Sequence, residues 1–169
     1  MSGLTRETFG ACIPHAGTMI LIDEVLEWGP ESLRAQTRSH ASRDNPLRTA
    51  QGLHIACGIE YAAQAMAIHA GLACGETGSA PSAGLLIGLR DVRLHGRRLD
   101  EDPAPLTIDV RRRASDGYLA SYEFALRSPL RELLRGIATV ILDAGAPGRA
   151  KAAGEDAGRT PPSGASAST

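Results

Sequence analysis

Hydrophobic and polar positions change period several times along the chain, and each change predicts an element. In "LTRETFGACI" an apolar pair, Phe9 and Ile13, follows Thr5 at a four-residue step, which predicts a short helix capped by Thr5. "PHAGTM" reads as a turn. "MILIDEVLEW" opens as an apolar run and passes into alternation, as a strand does, and Gly29-Pro30 ends it. In "SLRAQTRSH", Leu33, Ala35 and Thr37 alternate with polar neighbours, which predicts a second strand. Residues 41–53, containing "RDNPLRTAQG", carry turn formers and no period, so a loop is expected there. From about His54 to Leu72 the pattern turns helical, with Ile55, Ile59, Ala62, Ala63, Met66 and Ala70 recurring at three- and four-residue steps. Gly71 and Gly75 are expected to close this helix. "GLLIGLRDVRLHG", "APLTIDVRRRA", "YLASYEFALR" and "LLRGIATVILDA" follow as four further strand candidates, the last behind a turn at Ser128-Pro129.

The second helix is apolar nearly all round, which marks an element enclosed by others. A helix, two strands, one enclosed helix and four strands predict an α+β domain: a curved antiparallel sheet of about six strands wrapped round a central apolar helix. A doubly wound arrangement does not fit, because strands and helices do not alternate. Residues 145–169 are Gly, Ala, Pro, Ser and charge without a large apolar side chain. Such a segment cannot bury enough surface to offset its ordering entropy, so the domain is expected over residues 1–144 with a disordered tail behind it.

Composition narrows the function classes. The 169 residues suit one domain with a substantial core. With 18 Lys+Arg against 19 Asp+Glu, the balance gives no electrostatic hold on nucleic acid or on an anionic membrane. Aromatics at 4% offer few base-stacking surfaces. Cys12, Cys57 and Cys74 are odd in number and lack CxxC spacing, so they read as free thiols of a reducing cytoplasm, not as a disulfide frame or a zinc site. No apolar run of spanning length occurs, and "MSGLTRETFGA" has no signal-peptide pattern, so a cytoplasmic protein is expected.

Against this background one residue stands out. Glu60 lies in the apolar helix, and Gln64, four residues on, shares its face; Cys57 is three residues before. A carboxyl in such surroundings costs free energy unless it is neutral or partnered, and a carboxyl near neutrality can give and take protons. The helix start at Ala56, Cys57 and Gly58 is expected to present free backbone N–H groups that could hold a thioester carbonyl as charge develops, and small residues there would let a substrate approach. The competing structural expectation is that Glu60 simply pairs with an arginine from a neighbouring strand.

Three motifs carry a family resemblance. "IPHAGTMILIDEVLEW" resembles the opening of the FabA/FabZ-type 3-hydroxyacyl-acyl-carrier-protein dehydratases. "EYAAQAMA" is similar to their helix signature, Glu-x-x-x-Gln, and "IGLRDVRL" to the strand after it, with Gly88 and Arg93 at matching steps. The wording "NPLR…GIEYAAQAMA" further resembles the ApeP-like proteins of aryl polyene synthesis. The resemblance covers about Leu4 to Asp143 and implies a hotdog fold whose protomers join sheets edge to edge. It implies loss of water from a 3-hydroxyacyl thioester carried on the phosphopantetheine of an acyl carrier protein, without a bound cofactor or metal. Catalytic roles then fall to Glu60, as the acid on the departing hydroxyl, and Gln64, as its support, with Cys57, Gly58 and Gly88 toward the substrate.

The family's base, a loop histidine fourteen residues before the acid, is missing: Pro46 stands there, within "SRDNPLR". Asp44 is one replacement base, although a solvated aspartate is feeble against an α-proton. His54 is another, roughly 120° away from Glu60 round an ideal helix. The third account has a second hotdog subunit supply what is missing, as a heterodimer in place of a homodimer. The leading reading is therefore a dehydratase or dehydratase subunit of fatty-acid-like or aryl polyene biosynthesis. Its alternatives are a non-catalytic partner of an active subunit and an acyl thioesterase of the same fold. His15 is read as structural, His69 as a satisfied core or interface residue, and His40 and His95 as too scattered for a metal. The basic stretches at 95–98 and 111–113 read as solvated faces or as anchors for a carrier protein's phosphate and acidic surface.

Overall fold

The computed structural model describes residues 2–76 and 84–142; the tail expected over 145–169 lies outside them. Among the described residues seven strands form one antiparallel sheet: β1 (Ser2–Thr5), β2 (Glu24–Trp28), β3 (Ser32–Thr37), β4 (Leu85–Leu94), β5 (Leu106–Ser115), β6 (Leu119–Arg127) and β7 (Glu132–Ile141). Their order across the sheet is β1-β2-β3-β5-β6-β7-β4. A four-residue helix, α1 (Arg6–Phe9), precedes β2, and the long helix α2 (Gly58–Glu76) lies against β3, β5 and β6.

Alternation builds the core. Leu33, Ala35 and Thr37 of β3, Leu106, Ile108 and Val110 of β5, and Ala120, Tyr122, Phe124 and Leu126 of β6 are all buried, while their neighbours are more open. They meet Tyr61, Ala62, Ala65 and Ile68 of α2, each fully enclosed. Register shifts interrupt β4 between Leu86 and Gly88 and between Arg90 and Arg93, where Asp91 takes a φ of 54°; bulges of this kind bend a strand. No helix among the described residues is long and apolar enough to cross a membrane.

Several expectations are corrected. β1 was not anticipated: it is short and rests on β2 alone, with Leu4 opposite Val25. Thr5 does stand at the N-cap of α1, but its side chain makes no capping bond, and the helix gives way after Phe9 to a 3-10 turn at Gly10–Cys12. The strand expected from Met19 begins only at Glu24. Its missing pairing is supplied by side chains, since the Leu21 N–H donates to Gln64 and the Leu21 carbonyl accepts from the hydroxyls of Thr37 and Ser39.

Helix α2 runs through Gly71 and Gly75 to Glu76. Gly71 is small for another reason: a Cβ there would lie 2.6 Å from the Cβ of Cys12. The N-terminal segment therefore crosses α2 at that glycine.

Candidate active site

Glu60 sits in the first turn of α2, and Gln64 one turn further on. The Gln64 side chain is fully spent: its Oε1 accepts the Leu21 N–H at 2.9 Å, and its Nε2 donates to the Met19 carbonyl at 2.8 Å and to Glu60 Oε1 at 3.1 Å. Because Leu21 offers only a donor and Met19 only an acceptor there, the amide can face one way, and its remaining N–H must point at the acid. Gln64, 1% exposed, thus ties residues 19–21 to α2 and aims Glu60 at the same time.

Glu60 is not buried as expected; its side chain is 34% exposed. No arginine among the described residues pairs with it. The neighbour the fold brings is His15, whose Nε2 lies 3.5 Å from Glu60 Oε1 and whose side chain is 32% exposed. His15 Nδ1 is buried and makes no hydrogen bond among the described residues, so Nε2 is the nitrogen that faces the acid. The turn is shaped by Pro14 before it and by a 3-10 turn at Gly17–Met19, where Gly17 takes a φ of 60° that disfavours a side chain.

Glu60, His15 and Gln64 line a cleft of about 180 Å³. The rest of its wall is apolar, from Ile13, Met66, Ala70, Leu86, Val140 and Ile141. Ala63, Ala67 and Ala70 form an open stripe along α2 leading away from Glu60, so the cleft has one polar end and an oily body. A larger hollow of about 1080 Å³ lies on the sheet face turned away from α2. Several of its charges pair with one another, as in Arg34–Asp109–Arg127–Glu132, and none of Glu60, Gln64, Cys57, Gly58, Gly88, Asp44 and His54 lines it.

The other expected residues are elsewhere. The backbone donors at the helix start are already engaged: the Ala56 N–H donates to His54 Nδ1, the Cys57 N–H to the His54 carbonyl, and the Gly58 N–H to the carbonyls of Ile55 and Ala56. Gly58 offers no room to a substrate either, since a Cβ there would meet Leu134 Cδ2 at 2.1 Å. Its smallness serves sheet packing. The Cys57 thiol lies 4.0 Å from the Leu47 carbonyl, outside the cleft wall, and burial pushes its pKa up, away from nucleophilic use. Gly88 is paired with Thr139 and would tolerate a Cβ at 3.9 Å; its neighbour Leu86 lines the cleft.

Neither replacement base reaches Glu60's cleft. Asp44 is exposed in its loop, and His54 is a capping side chain. The loop that would hold the family's histidine is instead braced. Asn45 Nδ2 donates to the Ser39 carbonyl and to the Tyr61 hydroxyl, and Arg48 donates to the carbonyls of His40 and Ser42 while pairing with Asp100. Asp100 also takes both Arg98 and the Leu53 N–H. Arg98 above all, with Leu53 and Arg48 adding and burial opposing, holds its carboxyl well below the usual range.

His69 is the satisfied core residue expected, bonded to the Tyr122 hydroxyl at 2.9 Å and the Gly29 carbonyl at 3.0 Å. The basic run at 111–113 is spent on Glu31, the Pro30 carbonyl and Glu123.

Sequence reasoning missed His15 as a site residue. The signal was present in "IPHAGTM", but the closeness of that turn to Glu60 depends on Gln64 holding Met19 and Leu21, which no local pattern reveals.

The family model for ApeP-like proteins, described as ApeP dehydratase, matches residues 8–145. No curated protein gives a match. Among solved structures, the dehydratase heterocomplex ApeI:P from Xenorhabdus doucetiae superposes with a TM-score of 0.73 at 22% identity, covering 81% of this chain and 91% of that one. A thioesterase from Haemophilus influenzae gives 0.56 at 11% identity, over 82% and 92%. The PaaI protein from the phenylacetic acid degradation operon of E. coli gives 0.51 at 11% identity, over 69% and 80%. These likenesses identify the seven-stranded sheet and its long helix as a hotdog fold. With nearly all its described residues inside the matched span, the chain belongs to the ApeP-like dehydratase family.

Proposed function

We propose that the chain dehydrates 3-hydroxyacyl thioesters delivered by an acyl carrier protein, as one subunit of a hotdog assembly in fatty-acid-like or aryl polyene biosynthesis. The observation that carries this reading is a carboxyl aimed by a fully bonded amide at the polar end of an apolar cleft. The cleft body suits an acyl chain, and Glu60 is placed to protonate a departing hydroxyl. No bound cofactor enters the scheme.

The assembly would form along β4. This strand is an edge of the sheet, and Leu85, Ile87 and Leu89 are 53%, 51% and 41% exposed at alternate positions. An edge strand with an apolar face invites another chain, and covering it removes that liability. A second copy and a different hotdog subunit both suit it; the heterocomplex form of the Xenorhabdus relative supports the second.

The purified chain, alone and mixed with a hotdog subunit encoded beside it, is to be given a 3-hydroxyacyl pantetheine thioester while enoyl product and free thiol are followed. Enoyl formation that Glu60→Ala abolishes in a still folded oligomer is the expected result. Thiol release without an enoyl product would identify a thioesterase instead, a reading that the water-accessible position of Glu60 favours. Undiminished enoyl formation by Glu60→Ala would remove Glu60 from the chemistry.

A further inference from the structure

We infer that His15 is the base that takes the α-proton, so that one subunit of this chain carries a complete acid–base pair despite Pro46. This inference rests on the dehydratase reading above.

Elimination among the chain's own residues leads to it. The sequence holds five histidines, and all five are described. His40 and His69 are wholly enclosed, with ring nitrogens bonded to the Asp102 carbonyl and to Tyr122 and Gly29. His54 caps the 3-10 turn at Ile55–Cys57 that leads into α2, and His95 stands near Glu132 just past the far end of β4. His15 alone borders the cleft, 3.5 Å from the acid.

The placement is held from both sides by the helix that carries Glu60. Before His15, Cys12 packs on Gly71; after it, the Met19 carbonyl and the Leu21 N–H are held by Gln64. A base must lie within reach of its proton in a plausible substrate pose, and a rigid mount provides that.

The chemistry closes on itself. The proton leaves C2 for the Nε2 lone pair, and the C–H electrons form the enolate on the thioester oxygen. They then return to make the C2–C3 double bond as the C3–O bond breaks, and the Glu60 proton goes to the departing oxygen to give water. An imidazolium and a carboxylate remain side by side, and transfer of one proton from His15 to Glu60 restores the starting state without a net proton from solvent. Because both groups stand on one side of the substrate, the hydrogen and the hydroxyl must leave from the same face.

The test uses the purified chain with a 3-hydroxyacyl pantetheine thioester in D₂O, following enoyl formation and deuterium entry at C2 in separate readouts. The expected result is activity in both for the unaltered chain. His15→Gln should lose both by roughly 10²- to 10⁴-fold, whereas Glu60→Gln should lose elimination and keep exchange. His15→Gln with undiminished exchange and elimination overturns the inference; loss by Glu60→Gln in that same series would leave the dehydratase reading standing. Undiminished elimination in both variants overturns the two together. An unaltered chain that neither eliminates nor exchanges overturns the self-sufficient pair, and the hetero-assembly then remains the test of the dehydratase reading.

Discussion

Two irregular segments lead toward α2, the turn around His15 and the loop around Pro46, and they differ in what they leave unspent. In the loop, Asn45, Arg48 and Asp100 are committed to one another, to backbone and to Tyr61. In the turn, backbone groups are held by Gln64 while the His15 ring nitrogen faces the Glu60 carboxyl across a half-exposed cleft. On the proposed mechanism, bracing and chemistry are divided between the two segments. A resemblance that transfers catalytic positions by spacing points to the braced segment, whereas the geometry points to the other.

Breaking the shared anchor should have the largest effect. Gln64→Ala removes three hydrogen bonds and strands the buried Leu21 N–H, so it should cost about 3 kcal/mol of stability. Turnover should fall by at least about 10²-fold, because acid and base both lose their mount. Urea unfolding and enoyl formation measure the two losses; a stable variant with full turnover would contradict the anchor.

Next comes the loop. Arg48→Met should cost roughly 1–3 kcal/mol by orphaning the His40 and Ser42 carbonyls and weakening the Asp100 pairing, while turnover per folded molecule changes little. The Asp100 carboxyl is held lower in the folded chain than in the unfolded one. Its contribution is therefore present above the unfolded carboxylate value of about 4 and is lost as pH falls through the lower native value. The stability gap between parent and variant should accordingly narrow below about pH 4, and a gap independent of pH would show that Arg48 acts through packing alone.

The smallest effect sharpens the contrast. Pro46→His places an imidazole at the family's position on an exposed site, with a stability change within about 0.5 kcal/mol. In the His15→Gln background it should restore no C2 exchange; restored exchange would mean that the loop still addresses the site.

Much of this architecture was legible in the chain. Alternation in "SLRAQT" put Leu33, Ala35 and Thr37 on the face that proves buried, because a sheet with one covered side must write its period into the sequence, and the four later candidates are strands as expected. The i, i+4 spacing placed Gln64 beside Glu60 for the same local reason. What local patterns could not convey were contacts across long separations. Gly71 looked like a helix stop because the packing of Cys12 on it, 59 residues earlier in sequence, leaves no periodic trace. Free amides at the helix start were a general expectation that His54 overrides with its own ring nitrogen. Ala63 and Ala70 entered only through the helical period, yet with Ala67 they face the cleft, since small apolar side chains serve equally to fill a core or to leave room.

Strand β4 has a consequence of its own. Leu86 forms part of the chamber wall, while Leu85, Ile87 and Leu89 on the same strand are exposed along the margin of the sheet that the described residues form. In the proposed assembly, whatever anneals to that margin would lean on the chamber from outside, so that capacity for a given acyl tail would belong to the pair. Exchanging one associate for another would then retune which tails fit, with no residue of this chain altered.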